Sequence, residues 1–176
     1  MKGDVVIINR VLLVILLFLP MCSNKIKLNH DSDKKQNVSR SNSKASVQHS
    51  TIFHCDGKLT IVGQDGQKNT EIEYECADTP SKRAQGLMYR RSMDEYHGML
   101  FVFNDTAPRY FYMKNTYISL DILFIDNEKK IIKGYYNTQP MTDDLLPSIA
   151  DAKYVLEVNG GFCTRHGISE GDLLKF

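Results

Sequence analysis

The run from Glu71 to Cys76, E-I-E-Y-E-C, alternates strictly: Ile72, Tyr74 and Cys76 face one way and three glutamates the other. Period-two patterning of this kind belongs to a strand with one face buried and one in water. Lys58 to Gly63 alternates likewise, and Q-D-G-Q lies between the two runs. Asp65-Gly66 is the dipeptide favoured by a two-residue type I′ turn, so the pair reads as an antiparallel hairpin. Met99–Phe103, Arg109–Met113, Ile118–Ile125, Lys130–Tyr136 and Lys153–Val158 read as further strands. Thr79-Pro80 offers an N-cap followed by Pro at the first helical position, opening a helix through about Tyr89. Phe162 to His166 reads as one short helical turn closed by Gly167. There are no internal repeats. The expected fold is all-β, mostly antiparallel and sandwich- or barrel-like, with one helix and one short helical turn.

The hairpin carries a second expectation. With Asp65 and Gly66 as the two loop residues, Cys55 faces Cys76. Counting outward from a hydrogen-bonded Gln64/Gln67 pair places the cysteines at a non-hydrogen-bonded site, where Cα atoms lie about 4.5 Å apart. A disulfide fits there in an oxidising compartment, provided no bulge shifts the register. Cys163 is then unpaired and reads as a small buried filler.

The N-terminus reads as an address. Lys2 and Arg10 precede the apolar run Val11 to Leu19, the pattern of a secretory signal and too short for a membrane span. L-P-M-C, Leu19 to Cys22, resembles a bacterial lipobox, with Met21 departing from the small residue usual before the cysteine. Lipidation of Cys22, an uncleaved N-terminal anchor over residues 1–22 and cleavage elsewhere are three alternatives, and all export the remainder to the cell envelope or periplasm. Residues 23–50 are rich in Ser, Asn, Lys, Asp and Gln and carry six basic against two acidic side chains. Such a segment lacks the apolar residues for a core and reads as a disordered tether. Residues 51–176 are long enough for a single core and hold fourteen basic and eighteen acidic residues. That acidic balance excludes nucleic-acid binding driven by phosphate contacts.

Six blocks occur in order within that domain: A-D-T-P-S-K-R-A-Q-G-L-M-Y-R (77–90), G-M-L-F-V-F (98–103), F-Y-M-K-N-T (111–116), L-D-I-L-F-I-D (120–126), Y-V-L-E-V-N-G-G (154–161) and H-G-I-S-E-G-D (166–172). Together they resemble the prokaryotic family called domain of unknown function 192, also uncharacterised protein family 0127, over about residues 58–174. The resemblance implies a compact, mostly β, sandwich-like fold, often behind a signal peptide or lipid anchor, and no established activity. This chain departs from the family in having Tyr112 where Trp is usual and Ser119 where Pro is usual.

The densest polar group is Arg83, Arg90, Lys114, Asn115, Thr116 and Asp121. Arg83 and Arg90 are seven apart, so a continuous helix would set them on one face. With Lys114 they offer a planar fork and a point charge for a carboxylate or phosphate, and Met88, Met99, Met113, Phe101 and Phe111 offer apolar walls. The competing reading has Asp121 paired with a nearby cation to fix a loop while the Met and Phe residues fill the core. No H-x-H, C-x-x-C or H-E-x-x-H spacing points to a metal, and no phosphate loop or dinucleotide fingerprint points to a cofactor. Cys163 and His166 are three apart, but catalysis would also need an orienting group and an oxyanion hole. The leading expectation is a membrane-tethered envelope module that binds a small anion or an envelope protein without turnover. An enzyme acting through Arg83, Arg90, Lys114 and Asp121, and a passive structural element, are the alternatives.

Overall fold

The computed structural model describes residues 52–176, so Cys22, the leader over residues 1–22 and the tether over residues 23–50 lie outside the described residues. Seven strands and two short helices follow in the order β1 (Gly57–Val62), β2 (Asn69–Ala77), α1 (Pro80–Gln85), β3 (His97–Phe111), β4 (Leu120–Ile125), β5 (Ile131–Tyr135), β6 (Leu146–Asn159), α2 (Phe162–His166) and β7 (Leu173–Lys175). They make one curled sheet in the order β5-β4-β6-β3-β2-β1-β7. All pairings are antiparallel except β2 with β3, because α1 and the segment after it carry the chain back before β3 begins. The sheet curls until its outer strands meet: Lys130 bridges Leu173, and the Leu174 and Ile131 N–H groups donate to the Lys129 and Asp172 carbonyls.

Two cores follow from that curl. The first draws on all seven strands, including Leu59, Ile72, Leu100, Leu123, Ile131, Leu156 and Leu174, and therefore fills the concave face. Phe162 and Cys163 of α2 plug it. The second lies on the convex face, where Phe101, Ile122, Phe124 and Val155 pack with Leu87 and Met113 from the connecting segments. Every residue of β4 is buried, which explains why its sequence L-D-I-L-F-I shows no polar face.

The hairpin register agrees with expectation through every pair from Gly57/Tyr74 to Val62/Asn69. The loop itself is longer than two residues. Gly63 N–H donates to Lys68 O, Gly66 N–H to Gly63 O, and Asp65 Oδ1 receives the Gln67 and Lys68 N–H groups. A four-residue loop centred on the same dipeptide keeps the facing partners but moves the hydrogen-bonded pair to Gly63/Lys68. At the far end Asp56 N–H, one residue before the first ladder pair, already donates to Tyr74 O. The paired ladder stops at Gly57/Tyr74, Asp56 Oδ2 accepts from Cys76 N–H, and both thiols are free.

Three other expectations are corrected. Met99–Phe103 and Arg109–Phe111 belong to the single long β3, bent by register shifts between Val102 and Ala107 and between Pro108 and Tyr110, and Tyr112 and Met113 lie beyond its end. The strand read as Lys153–Val158 starts at Leu146, and β7 was not anticipated because three residues show no period. The helix expected to run through Tyr89 stops after Gln85.

Candidate functional site

The early stop of α1 builds the site. Thr79 Oγ1 accepts from Lys82 N–H and Pro80 opens the helix, as its sequence implies. Gly86 then adopts φ 49°, ψ −139°, a conformation barred to side chains with a Cβ. An added Cβ would also sit 3.2 Å from the Phe101 ring. The chain turns here, sends Leu87 into the convex core and lays residues 83–88 over the sheet as a roof.

Beneath that roof the ladder sets Glu75, Met99, Glu157 and Ile122 side by side across β2, β3, β6 and β4. Glu157 thus shares the convex face with Val155. It lines a cavity of about 250 Å³ together with Arg83, Leu87, Met88, Thr116 and the aromatic side chains of Phe101, Phe103, Tyr110, Phe111 and Tyr112. Glu157 is 5% exposed, and among the described residues its carboxylate has no hydrogen-bond or ionic partner. Burial alone pushes its carboxyl up to about 8. Tyr110 and Tyr112 are exposed, so the cavity reaches the surface between them.

Its rim is firmly held. Arg83 Nη1 donates to the Asp78 and Val102 carbonyls, and the guanidinium lies 5.0 Å from the Phe103 ring centre. Arg109 packs on the same ring at 4.0 Å while donating to Ala152 O and Asp105. The bulge opposite Tyr110 is fixed by Ser148 Oγ, which accepts from Arg109 N–H and donates to Ala150 O. Ile149 pays for that bulge with a φ of 66°, unusual for a β-branched residue.

The expected anion cluster does not converge. Arg83, Met88 and Thr116 reach the cavity, and Asn115 touches Met88 Sδ from behind. Met113 is core, with Thr138 Oγ1 on its sulfur. Lys114 points outward, 3.7 Å from Asp143, with both side chains largely exposed. Arg90 is outside the helix, buried, and ion-paired through Nη2 with Glu75 Oε2. Asp121 lies on the concave face, where Oδ1 accepts from Asn137 and Gly161 N–H and Oδ2 from Cys163 N–H. It anchors α2 and the Gly160-Gly161 turn, which is the loop-fixing role with backbone donors in place of a cation. Cys163 is wholly buried beside it, and burial with the neighbouring carboxylate drives its thiol far up, away from the thiolate form. His166 pairs instead with Glu95.

Of the walls expected from sequence, Phe101 and Phe111 line this cavity. Met99 lines an adjoining one of about 390 Å³ with Glu75, Arg90, His54 and Cys76. Sequence reading passed over Glu157. Its signal was present: a charged residue inside Y-V-L-E-V, a run apolar on both faces, with nothing in the alternation to carry it to water. Among the described residues no group of His, Cys, Asp and Glu could hold a metal ion, and no helix is long and apolar enough to cross a membrane.

Two crystal structures share this architecture. A protein from Sinorhizobium meliloti 1021, called a putative transcription regulator, is 41% identical with a TM-score of 0.65, covering 67% of this chain and 91% of that one. A protein of unknown function from Novosphingobium aromaticivorans DSM 12444 is 33% identical with a TM-score of 0.64, covering 68% and 84%. A search of curated proteins finds no match. The model of DUF192, described as "Uncharacterized ACR, COG1430", matches residues 60–176, and the chain belongs to that family.

Proposed function

We propose that this protein is an exported, membrane-tethered module of the cell envelope that binds a small molecule in the Glu157 cavity without turning it over. The observation that carries the binding reading is Glu157 itself. A carboxyl group buried without a partner costs stability, and such a cost is retained where a ligand supplies the missing contact. The aromatic enclosure around one convergent polar group has the make-up of a ligand pocket. Export and tethering are supported by the basic start, the apolar run Val11–Leu19 and Cys22.

The test is native mass spectrometry of the full chain released gently from the envelope. A reproducible added mass is expected, absent from Glu157→Leu, whose side chain fills the polar end of the cavity. A bare mass in the wild type, with no binder recovered from a library of small polar aromatics and amines, would overturn the reading. Cys22→Ala tests the tether: loss from the membrane fraction supports it, and unchanged fractionation removes lipidation.

One observation favours a second reading. A carboxyl titrating near pH 8 is suited to general acid–base work close to neutrality. Turnover of a bound compound by the wild type, lost in Glu157→Gln with binding retained, would make the protein an enzyme.

A further inference from the structure

We infer that the Glu157 cavity takes a small zwitterion, with an alkylammonium group inside against the Glu157 carboxylate and the aromatic walls, and the ligand's carboxylate or phosphate at the rim against Arg83. The inference rests on the cavity being a ligand site, as proposed above, and adds the ligand's chemistry.

Three observations select that chemistry. Glu157 lacks any counter-charge or donor among the described residues. An apolar guest would leave it unpaired, and an anion would meet a like charge wherever the carboxyl ionises. An alkylammonium group, quaternary or not, supplies the opposite charge. The walls are aromatic where aliphatic side chains would serve an apolar guest equally well, and aromatic rings attract organic cations electrostatically. At the rim Arg83 spends only Nη1 on backbone carbonyls, and its Nε and Nη2 have no hydrogen bond among the described residues. A guanidinium held in place with free N–H groups is suited to a carboxylate or phosphate. The cavity, at about 250 Å³, suits a guest smaller than drug size.

The charged and titratable groups around Glu157 are few. Arg83 comes from α1, Tyr110 from β3 and Tyr112 from the segment after it. The β4 neighbour is Ile122, and Glu75 of β2 lies beyond Met99, already paired with Arg90. Glu157 is protonated at neutral pH, so an ammonium guest must release that proton on entering, and affinity rises with pH.

Calorimetric titration of the full chain tests this with phosphocholine, choline and the neutral probe 4-methylphenol. Phosphocholine is expected to bind about tenfold or more tighter at pH 8 than at pH 6. Choline, without the anionic group, should be about tenfold weaker. Glu157→Gln should cost phosphocholine and choline each about tenfold or more, and Arg83→Gln should reduce phosphocholine to the level of choline. Binding of 4-methylphenol with neither phosphocholine nor choline bound would overturn the zwitterion and leave the pocket as a ligand site. No binding of any of the three would overturn both. The wild-type arms need no variant to fold. Competition between phosphocholine and phosphatidylcholine vesicles would assign a lipid headgroup as the source, and lack of competition a free solute.

Discussion

Asp121 and Glu157 are buried carboxylates on neighbouring strands of one sheet, β4 and β6, yet they face opposite ways and lead opposite lives. Asp121 is fully enclosed on the concave face and accepts three backbone N–H groups, two of them from the turn and first residues of α2. Glu157 is almost as enclosed on the convex face, its carboxyl accepts nothing from the described residues, and it looks into a cavity. Burial by itself therefore does not mark a site. A buried charge whose lone pairs are all used is part of the architecture, while one left without partners points to a contact made with something else.

The largest effect should come from the satisfied member. Asp121→Ala leaves three backbone donors without an acceptor and frees the plug of the concave core, at roughly 3–5 kcal/mol in denaturant unfolding. A loss below about 1 kcal/mol would show that the two carboxylates are not so different.

Next comes Glu157, with the opposite sign. Its folded carboxyl titrates near 8, well above the unfolded value, so the folded state holds the extra proton between the two. Stability should then fall as pH rises from about 4.5 to about 8, by roughly 2–4 kcal/mol once water in the cavity is allowed for. Glu157→Gln should remove that slope and melt higher than the wild type at pH 8. A variant with the same slope would place the titration elsewhere.

Gly86→Ala tests the roof. The barred backbone conformation and the nearby Phe101 ring predict a loss of about 1–3 kcal/mol in thermal unfolding. Any ligand recovered by mass spectrometry should be lost with it, because Arg83 and Met88 move together. The smallest effect is reserved for Lys114→Met. Its exposed pairing with Asp143 predicts about 0–1 kcal/mol, with ligand binding unchanged. A binding defect there would restore the anion cluster that the structure disperses.

Much of the fold was legible in residues. Alternation in β1 and β2 and the Asp65-Gly66 dipeptide set the hairpin register, because a one-residue slip would turn Ile72 outward and Glu71 and Glu73 inward. Thr79-Pro80 started α1, and Gly167 closed α2 with φ 62°. The site was half legible. Arg83, Met88, Phe101, Phe111 and Thr116 were named from sequence, but Arg90 was joined to Arg83 through a helix that Gly86 ends. A glycine that stops a helix and a glycine that merely sits in one look alike until its φ is known.

Local patterning thus determined which segments are strands and where the hairpin turns, because those choices depend on neighbours a few residues away. The burial of Glu75 on the face expected in water was decided by Arg90. The parallel pairing of β2 with β3, the closure of β5 on β7 and the fates of Asp121 and Glu157 depend on contacts between distant segments. A carboxylate in a strand reads the same whether three amides or none await it. Which of these it meets is decided when the sheet curls: the concave side receives the backbone of α2, and the convex side receives rings, Leu87, Met88, Thr116 and an arginine at the rim, none of which bonds the carboxyl.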